Sequence, residues 1–596
     1  MQPTDIANPD YFHKVVDCQW ACPAHTPVPE YIRLIAAGRN ADAYMVNWKS
    51  NVFPGILGRT CDRPCEPACR RGRIEAEPVA ICRLKRVAAD NKGDVSGLMP
   101  AKTTVGNDRR VAFVGAGPAS LSVVRDLVPL GYSCTIYDSD PKAGGMIRSQ
   151  IPRFRLPEQV IDEEVGYILG MGNIELRLGQ RVDSLKSLID EGYDAIFVGS
   201  GAPRGRDLDI PGRKEAAANI HIGIDWLSSV SFGHIEKIGK RVIVLGGGNT
   251  AMDCCRTSKR LGGEDVKVIV RSGFEEMKAS SWEKEDAQHE GIPIKNFLVP
   301  KAFIHEGGRL KAMSFDKVEA KIDAKGRREL VPTGEPEVMI ECDDVLVAIG
   351  QENSFPWIER DIGMEFDRWG MPKVDPKTLQ STIPNVFFGG DAAFGPKNII
   401  WAVAHGHDAA ISIDKFLNGE DLSVRPPPGV QVSSQKMGIH EWSYDNDISA
   451  AIRNKVPWRD LGTTLKDIKV EVEMGFDLQL AYSETQRCLN CDVQTVFARS
   501  LCIECDACVD ICPVDCLTFT DNGEEDDLRS RLTQPARNKT QDLYLSDVLK
   551  TGRIMAKDED VCLHCGLCAE RCPTGAWDMQ KFLIEMTHAG TACRSR

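Results

Sequence analysis

Most of the chain's 22 cysteines lie in two dense groups, at residues 18–82 and 488–572. The second group contains two runs, CIECDACVDICP at 502–513 and CLHCGLCAERCP at 562–573, which share the spacing C-x2-C-x2-C-x3-C-P. Thiolates are soft ligands that suit iron–sulfur chemistry. Disulfides are the alternative use of many cysteines, but in a large chain without an export signal such clusters favour metal ligands.

The repeated run is the pattern of two-cluster bacterial ferredoxins, in which the fourth cysteine of each run binds the cluster of the other run. It predicts two [4Fe-4S] clusters. A zinc ribbon is the alternative, but it normally uses paired C-x2-C knuckles without the third cysteine and the Cys-Pro. The predicted ligands are Cys502, Cys505, Cys508 and Cys572 for one cluster, and Cys562, Cys565, Cys568 and Cys512 for the other.

Residues 111–120, VAFVGAGPAS, join an apolar strand to a glycine-rich turn. In this dinucleotide fingerprint Gly115 allows the tight turn and Gly117 lets the backbone approach a pyrophosphate, while Ser120 replaces the third glycine. Asp138 ends the next strand, where an acid usually accepts hydrogen bonds from a ribose hydroxyl. The segment predicts a dinucleotide site.

Residues 242–251, VIVLGGGNTA, repeat the pattern, with Gly246, Gly248 and Ala251 in the fingerprint positions. Two such sites indicate FAD and a nicotinamide nucleotide. The strand VKVIVR ends at Arg271, where an NAD-specific site tends to carry an acid, so the sequence favours NADP(H) over NAD(H). A surface arginine without a role is the alternative at this position.

Five segments make the chain resemble the small subunit of glutamate synthase and related pyridine-nucleotide-dependent iron–sulfur flavoproteins, over residues 18 to about 418. The resemblance implies that the first fingerprint binds FAD, and that the second, with Asn249 and Thr250, binds NADPH. It also implies that Gly390 and Asp391 belong to the FAD site. The segments are CQWACPAHTPVPEYI (18–32), RTCDRPCEPAC (59–69), IPRFRLP (151–157), GGGNTAMD (246–253) and GGDAAFGPKNIIWAVAHG (389–406).

Relatives with two amino-terminal clusters begin with a C-x2-C pair that this chain lacks at that place. RCLNC at 487–491 resembles the missing piece, which implies that the carboxyl-terminal segment folds back. The alternative is a single amino-terminal cluster with the surplus cysteines unligated. The ligand sets implied are Cys18, Cys69, Cys488 and Cys491 for one cluster, and Cys22, Cys61, Cys65 and Cys82 for the other.

At 596 residues the chain is too long for one hydrophobic core, so several modules are expected. We predict an α/β protein with a helical iron–sulfur domain, two Rossmann-like domains and a ferredoxin-like α+β domain. The resemblance implies that the two parts of the FAD domain form one domain, into which the NAD(P) domain is inserted. The predicted ranges are 1–104 (helical iron–sulfur), 105–225 and 345–420 (FAD), 226–344 (NAD(P)), 421–496 (connector carrying Cys488 and Cys491) and 497–596 (ferredoxin).

The net charge of −13 argues against nonspecific nucleic-acid binding, and no apolar run approaches the ~20 residues that span a bilayer. The amino terminus, MQPTDIANPDYF, lacks the basic stretch and the apolar core of a secretory signal, so we expect a cytoplasmic protein. Dihydropyrimidine dehydrogenase shares the order of modules, but the ~70 residues between the flavin and ferredoxin halves cannot form its ~250-residue barrel.

The resemblance and the added ferredoxin motifs imply an NAD(P)H:ferredoxin oxidoreductase, with ferredoxin as partner. Such a chain would serve as the flavin subunit of a larger anaerobic redox complex, for example a 2-oxoacid:ferredoxin oxidoreductase. The cofactors carry the chemistry, so no catalytic side chain is expected, and His405 and His407 are interpreted as structural. The alternatives are a glutamate synthase small-subunit-like electron donor and an electron-transfer or assembly subunit without nucleotide turnover.

Overall fold

The computed structural model describes residues 16–73, 77–322, 327–425, 429–434, 451–520, 543–545, 551–558 and 561–594. The chain divides into two compact units. The cysteine-rich unit comprises Met1–Met99, Val424–Pro457 and Gly475–Arg596, and the two-sheet unit comprises Pro100–Ser423 and Trp458–Met474. The two cysteine groups therefore share one unit, while the predicted connector is divided between both. Parts of that connector, 426–428 and 435–450, lie outside the described residues.

The amino-terminal part of the cysteine-rich unit is helical. Its second helix has Pro29 in the first turn, where no intrahelical N–H bond is lost, and it buries Tyr31, Ile32 and Ile35 in a core shared with Leu84. The helices are α1 (Asp17–Ala21), α2 (Val28–Ala36), α3 (Asn40–Asn51), α4 (Pro54–Thr60) and α5 (Ile81–Asp90), with 3₁₀ turns at Arg70–Arg73 and Ser96–Leu98.

The first half of the two-sheet unit is a parallel five-stranded sheet. The strands are β1 (Arg110–Val114), β2 (Ser133–Asp138), β3 (Ile174–Leu178), β4 (Ala195–Val198) and β16 (Val386–Phe388), in the order β16-β4-β1-β2-β3. The late strand β16 pairs with β4, so both predicted parts of the FAD domain contribute to one sheet. The helices between these strands are α6 (Pro118–Leu127), α7 (Met146–Ser149), α8 (Glu158–Leu169) and α9 (Leu185–Asp190).

The second half repeats this arrangement with another parallel sheet. The strands are β6 (Ile220–Ile222), β7 (Arg241–Leu245), β8 (Asp265–Ile269), β9 (Ile294–Lys295) and β14 (Asp344–Val347), in the order β6-β14-β7-β8-β9. Its helices are α10 (Gly223–Ser231), α11 (Asn249–Arg260) and α12 (Ser281–His289). The sheet extends a few residues beyond the predicted limits of 226 and 344 on both sides.

Smaller elements complete the two-sheet unit. An antiparallel sheet contains β10 (Leu298–Glu306), β11 (Arg309–Ile322), β12 (Arg328–Pro332) and β13 (Val338–Glu341), and β5 (Arg204–Gly205) pairs with β15 (Gln351–Glu352). The remaining helices are α13 (Asp391–Phe394), α14 (Ile399–Leu417) and α15 (Leu461–Thr464). The segment 458–474 packs here because the Val472 N–H donates to the Phe154 carbonyl at 3.0 Å.

The carboxyl-terminal part of the cysteine-rich unit is α+β, which confirms the predicted fold class. Its two antiparallel sheets have the orders β17-β22-β18 and β19-β21-β20. Phe582 and Ile584 of β22 lie in the same core as Tyr31. The elements are β17 (Gly429–Ser434), α16 (Leu478–Thr485), β18 (Val493–Phe497), α17 (Ala507–Asp510), β19 (Leu517–Thr520), β20 (Leu543–Leu545), β21 (Ile554–Lys557), α18 (Leu567–Arg571), β22 (Trp577–Glu585) and α19 (Thr591–Arg594), with a 3₁₀ turn at Arg499–Leu501.

Among the described residues, no helix combines the length and the apolar character that crossing a bilayer requires.

Candidate cofactor sites

The first glycine turn joins β1 to α6. Gly115 has a φ of 100°, and a Cβ there would lie 2.6 Å from the carbonyl oxygen of Gly199, so the position requires glycine. Gly117 is the N-cap of α6, and no side chain caps this helix. The first backbone amides of α6 therefore remain available to an anion, and a pyrophosphate fits this arrangement.

Asp138 lies beside this turn, at the end of β2. Its carboxylate accepts hydrogen bonds from the backbone N–H groups of Ala116 at 2.6 Å and Asp140 at 2.8 Å, and burial raises its pKa. Ser120, on the first turn of α6, is fully buried, and its Oγ has no hydrogen-bond partner in the described part of the chain. Buried polar atoms normally have partners, so this hydroxyl is an exception, and it packs against Gly199 at the end of the neighbouring strand.

Gly390 and Asp391 reach the same helix from much later in the chain. A Cβ on Gly390 would lie 3.1 Å from the Cβ of Ala119, so the Gly-Gly-Asp segment packs beside the first fingerprint. The Asp391 carboxylate accepts a hydrogen bond from the Lys397 N–H at 2.9 Å, and burial raises its pKa to about 6. The structure thus brings together the residues expected at the FAD site.

The two histidines of α14 differ in their surroundings. His407 Nδ1 lies 2.6 Å from Asp126 Oδ2, which holds α14 against α6. His405 packs edge-on against Phe394 with the ring centroids 4.9 Å apart, and burial lowers its pKa to about 4, so its ring is neutral at pH 7. Within the described residues its Nδ1 has no hydrogen-bond partner.

The second glycine turn joins β7 to α11 with the same geometry. Gly246 has a φ of 136°, and a Cβ there would lie 2.1 Å from the Ala348 carbonyl oxygen. Gly248 is the N-cap of α11, which again has no side-chain cap. Asn249 Oδ1 accepts a hydrogen bond from the Ser280 N–H at 2.9 Å. Next to it, Thr250 is half-buried and Ala251 is fully buried at the start of α11.

Arg271 lies two residues beyond the end of β8, at the same edge of the sheet as the second turn. It is exposed, and it has no ion-pair partner among the residues that the structure describes. The loop that follows covers the turn, because the Ala279 N–H donates to the Gly247 carbonyl at 2.9 Å. A guanidinium in this position is available to a phosphate group.

Four cysteines distant in sequence come together in the cysteine-rich unit. They line one pocket, together with the buried Arg70 and Arg71. Burial raises the pKa of all four thiols, although Arg70 opposes this shift at Cys491, so without a metal they are protonated at neutral pH and the thiolate form requires a bound cation. These four, here called the amino-terminal cradle, are Cys18, Cys69, Cys488 and Cys491.

Buried arginines attach the segment that carries Cys488 and Cys491 to the amino-terminal helices. Arg487 is fully buried and donates to the carbonyl oxygens of Glu77 at 2.8 Å and Pro78 at 3.0 Å. Arg33 of α2 pairs with Asp492, with Nη1 and Oδ1 2.7 Å apart. The segment folds back as the sequence implies.

The other four amino-terminal cysteines are all buried. The neighbouring thiol of Cys61 lowers the pKa of Cys82, whose Sγ donates to the Leu57 carbonyl at 3.1 Å, and Cys65 lies close enough to Cys22 and Cys82 to interact electrostatically. Lys85 is buried beside the same thiols, which raise its pKa although desolvation lowers it. A group of thiols with a buried cation fits a cluster with anionic ligands.

The ferredoxin motifs form two further pockets. The outer cradle is lined by Cys502, Cys505, Cys508 and Cys572, and the inner cradle by Cys512, Cys562, Cys565 and Cys568. The backbone N–H groups of Glu504 and His564 each lie 3.4 Å from a cysteine Sγ, of Cys502 and Cys562 respectively. Both residues have a φ of 55°, in the left-handed region. Such N–H groups can donate to cluster sulfurs, so the loops fit a bound cluster.

Sequence reasoning missed the position of Cys516. This buried thiol also lines the inner cradle, and its Sγ lies 3.4 Å from that of Cys512. The spacing C-P-x2-C at 512–516 is the signal that could have indicated it. The inner cradle therefore holds a fifth thiol beside its four expected ligands.

Three protein families match separate parts of the chain. Residues 109–406, which contain both glycine turns, match the pyridine nucleotide-disulphide oxidoreductase family. Residues 12–96 match dihydropyrimidine dehydrogenase domain II with its 4Fe-4S cluster, and residues 501–576 match the 4Fe-4S dicluster domain. The pyridine nucleotide-disulphide oxidoreductase match therefore lies between two iron–sulfur matches along the chain.

Several proteins are similar over most of the chain. The NADP(+)-dependent formate dehydrogenase subunit beta of Moorella thermoacetica is 34% identical over 504 residues, covering 80% of this chain and 70% of that protein. The NADPH-Fe(3+) oxidoreductase subunit beta of Geobacter sulfurreducens is 30% identical over 533 residues, with coverage of 82% and 77%. The glutamate synthase [NADPH] small chain of Escherichia coli is 30% identical, covering 67% of this chain and 88% of that one. The predicted resemblance is confirmed.

Proposed function

Because the chain belongs to the pyridine nucleotide-disulphide oxidoreductase family and also carries 4Fe-4S domains, we propose that it transfers electrons between NADP(H) and a ferredoxin or partner redox subunit. The route uses FAD and four [4Fe-4S] clusters. One observation carries the proposal: three pockets in one unit each contain the four cysteines expected as cluster ligands, with Cys516 as a fifth thiol in the inner one, and four more buried thiols lie beside Lys85. Four cysteines are the ligand number of one [4Fe-4S] cluster.

The order of the cofactors follows from counting electrons. A nicotinamide exchanges two electrons as a hydride, whereas a [4Fe-4S] cluster exchanges one; FAD, when bound, does both and stands between them. The chain's own residues bind and orient these groups, so no side-chain acid or base is needed. This agrees with the neutral ring of His405 and with the pairing of His407 to Asp126.

In the FAD site, the glycine turn and the amino terminus of α6 hold the pyrophosphate. Gly115 and Gly117 allow the backbone to approach the pyrophosphate closely. The Asp138 carboxylate accepts two hydrogen bonds from backbone N–H groups, and its remaining lone pairs accept hydrogen bonds from the ribose hydroxyls. Gly390 and Asp391 would lie beside the ribityl chain of a bound FAD, as the family resemblance implies. The packing of Gly390 against Ala119 of α6 supports this assignment.

In the nicotinamide site, the turn from Gly246 to Ala251 and the amino terminus of α11 hold the second pyrophosphate. Arg271 binds the 2′-phosphate of NADP(H). Its exposure at the same edge of the sheet supports this role, and the names of the similar beta subunits from Moorella thermoacetica and Geobacter sulfurreducens include NADP(+) and NADPH.

We assign the clusters to the four cysteine sets. The amino-terminal cradle binds one, the outer and inner ferredoxin cradles bind one each, and Cys22, Cys61, Cys65 and Cys82 bind the fourth. In the outer cradle Cys505 is exposed, and the neighbouring Leu501 and Ile503 are about half exposed. Electrons leave or enter the chain there, through contact with the partner.

The chain functions as one subunit of a larger redox complex. Two of its similar proteins are named as beta subunits, which supports this. A glutamate synthase small-chain-like donor is the second candidate, since the similarity to the glutamate synthase small chain of Escherichia coli covers 67% of this chain. The ferredoxin part favours the first candidate, electron transfer between NADP(H) and a ferredoxin or partner subunit, because this part adds two further electron carriers.

The test is anaerobic analysis of iron, acid-labile sulfide and flavin, followed by titration with NADPH and with NADH. About sixteen irons per FAD, with flavin and clusters both reduced by NADPH, are expected. About twelve irons per FAD would show that one of the four cysteine sets binds no cluster. Failure of both nucleotides to reduce the flavin would contradict the proposed activity and favour a subunit without nucleotide turnover.

A further inference from the structure

Two hydrogen bonds connect the amino-terminal cradle with the inner ferredoxin cradle. His564 Nδ1 lies 3.1 Å from the carbonyl oxygen of Cys491, and Arg70 Nη1 donates to the carbonyl oxygen of Cys562 at 2.9 Å. A carbonyl only accepts, so His564 is the donor and its Nδ1 carries the proton.

The two contacts are reciprocal. Arg70 directly follows Cys69 of the amino-terminal cradle and reaches a carbonyl of the inner cradle. His564 lies between Cys562 and Cys565 of the inner cradle and reaches a carbonyl of the amino-terminal one. In each cradle, a residue next to one of the expected cysteine ligands therefore forms a hydrogen bond with the backbone carbonyl of a cysteine in the other cradle.

Both side chains are held in place by burial. His564 is 4% exposed and Arg70 is 1% exposed. Arg70 also pairs with Asp17, its Nε 3.2 Å from Oδ2, and Asp17 directly precedes Cys18. A buried guanidinium that contacts both ligand segments cannot shift without losing a hydrogen bond and an ion pair that the interior does not replace.

We propose that His564 and Arg70 are positioning residues that fix the separation of the two cradles, so that electrons pass between the amino-terminal half and the ferredoxin half through the inner cradle. A cluster bound in one cradle would lose one electron and the cluster in the other would gain it, so no proton or further reactant is required. One direct connection between the cradles is the hydrogen bond that the imidazole of His564 donates to the carbonyl oxygen of Cys491. The inference rests on the proposed function and adds the point at which the two halves join.

The test compares two variants of the full-length protein with its clusters bound. His564→Leu removes the donor, whereas His564→Asn keeps a nitrogen donor at the δ position. Iron content and NADPH reduction of the flavin should be unchanged in both. In freeze-quenched samples taken after mixing with NADPH, the ferredoxin cluster signals should appear about tenfold more slowly in His564→Leu, as for other groups that support metal ligands, and the Asn variant should restore the rate.

A second readout does not need the nucleotide. In dithionite-reduced protein, the magnetic interaction between the clusters of the two cradles should be weaker in His564→Leu than in the wild type and in His564→Asn. An unchanged rate together with an unchanged interaction in the Leu variant overturns the inference. If NADPH fails to reduce the flavin even in the wild type, the proposed function fails instead, and the dithionite spectra still decide the inference.

Arg70→Lys provides an independent variant if His564→Leu loses iron. Lysine keeps the buried charge but cannot reach Asp17 and Cys562 together, so the same step must slow. The matched control is Arg59→Lys, because Arg59 is a buried arginine in the same helical part that pairs with Asp90 at 2.9 Å. Equal rates for the two lysine variants and the wild type overturn the inference.

Discussion

Arg155 Nη1 lies 2.6 Å from Asp253 Oδ1, and both side chains are largely buried. Arg155 belongs to the segment after α7, whereas Asp253 lies on α11, directly after the second glycine turn. The pair therefore joins the two dinucleotide-binding halves. Arg155 also contacts Glu283 of α12, which links the same segment to a second helix of the nicotinamide half.

Arg155→Met should destabilise the two-sheet unit. The substitution leaves Asp253 and Glu283 without their shared cation, and breaking a buried ion pair costs about 3–5 kcal/mol of unfolding free energy. Urea unfolding followed by circular dichroism and by flavin release measures this loss. The control is Lys373→Met, which removes an exposed pair with Glu365 at 2.8 Å and should leave the midpoint unchanged. Equal midpoints for both variants would show that the Arg155 pair does not stabilise the unit.

The same network predicts a dependence of stability on pH. It contains more carboxylates than guanidinium groups, and burial raises the pKa of Asp286 to about 7, although Arg256 opposes the shift. The members are Arg155, Arg256 and Arg260, with Asp253, Glu283, Asp286 and Glu290. One carboxyl group therefore retains a proton near neutral pH.

Because the folded pKa of Asp286 lies above its ordinary value of 3.8, the folded state binds more protons than the unfolded state between about pH 4 and pH 7. Stability should therefore fall as the pH rises through this window. Asp286→Asn removes the titrating group, so its melting temperature should fall less than that of the wild type between pH 5 and pH 8. Parallel melting curves for the two proteins would exclude Asp286 as the source.

Local patterns accounted for the glycine turns and the ferredoxin motifs, because spacing along the chain determines both. Gly115 and Gly246 have the positive φ that a fingerprint turn requires. The joining residues were not predictable, since their partners are far away along the chain: Arg70 and Cys562 are 492 residues apart, and Arg155 and Asp253 are 98 apart. Neither periodicity nor a motif marks a buried arginine whose partner lies in another module.

Arg271→Ser should change the preference between the two nicotinamide nucleotides. If Arg271 binds the 2′-phosphate, its loss removes a charge-assisted hydrogen bond worth about 1.5–3 kcal/mol, so KM for NADPH should rise roughly tenfold or more. KM for NADH should stay the same, because NADH lacks that phosphate. Steady-state reduction of an artificial electron acceptor measures both constants.

The control for Arg271 is Lys240→Ser. Lys240 is an exposed cation of the same half, but it precedes β7 and so lies at the opposite end of the sheet from the glycine turn. It should leave both constants unchanged. A parallel rise of KM for NADPH and NADH in Arg271→Ser would indicate general damage to the site. If neither constant rises, Arg271 is a surface residue that does not bind the nucleotide.

Cys488→Ala tests whether the carboxyl-terminal C-x2-C pair binds a cluster. The four thiols of the amino-terminal cradle line one pocket. Without the Cys488 thiol this cluster should no longer be bound, so the iron content should fall by about four per FAD. The matched control is Cys593→Ala, a buried cysteine of the same unit outside the four ligand sets, which should keep the full iron content. Unchanged iron and unchanged cluster spectra in Cys488→Ala would instead support a single amino-terminal cluster, because the pair at 488 and 491 would then have a structural role without binding a cluster.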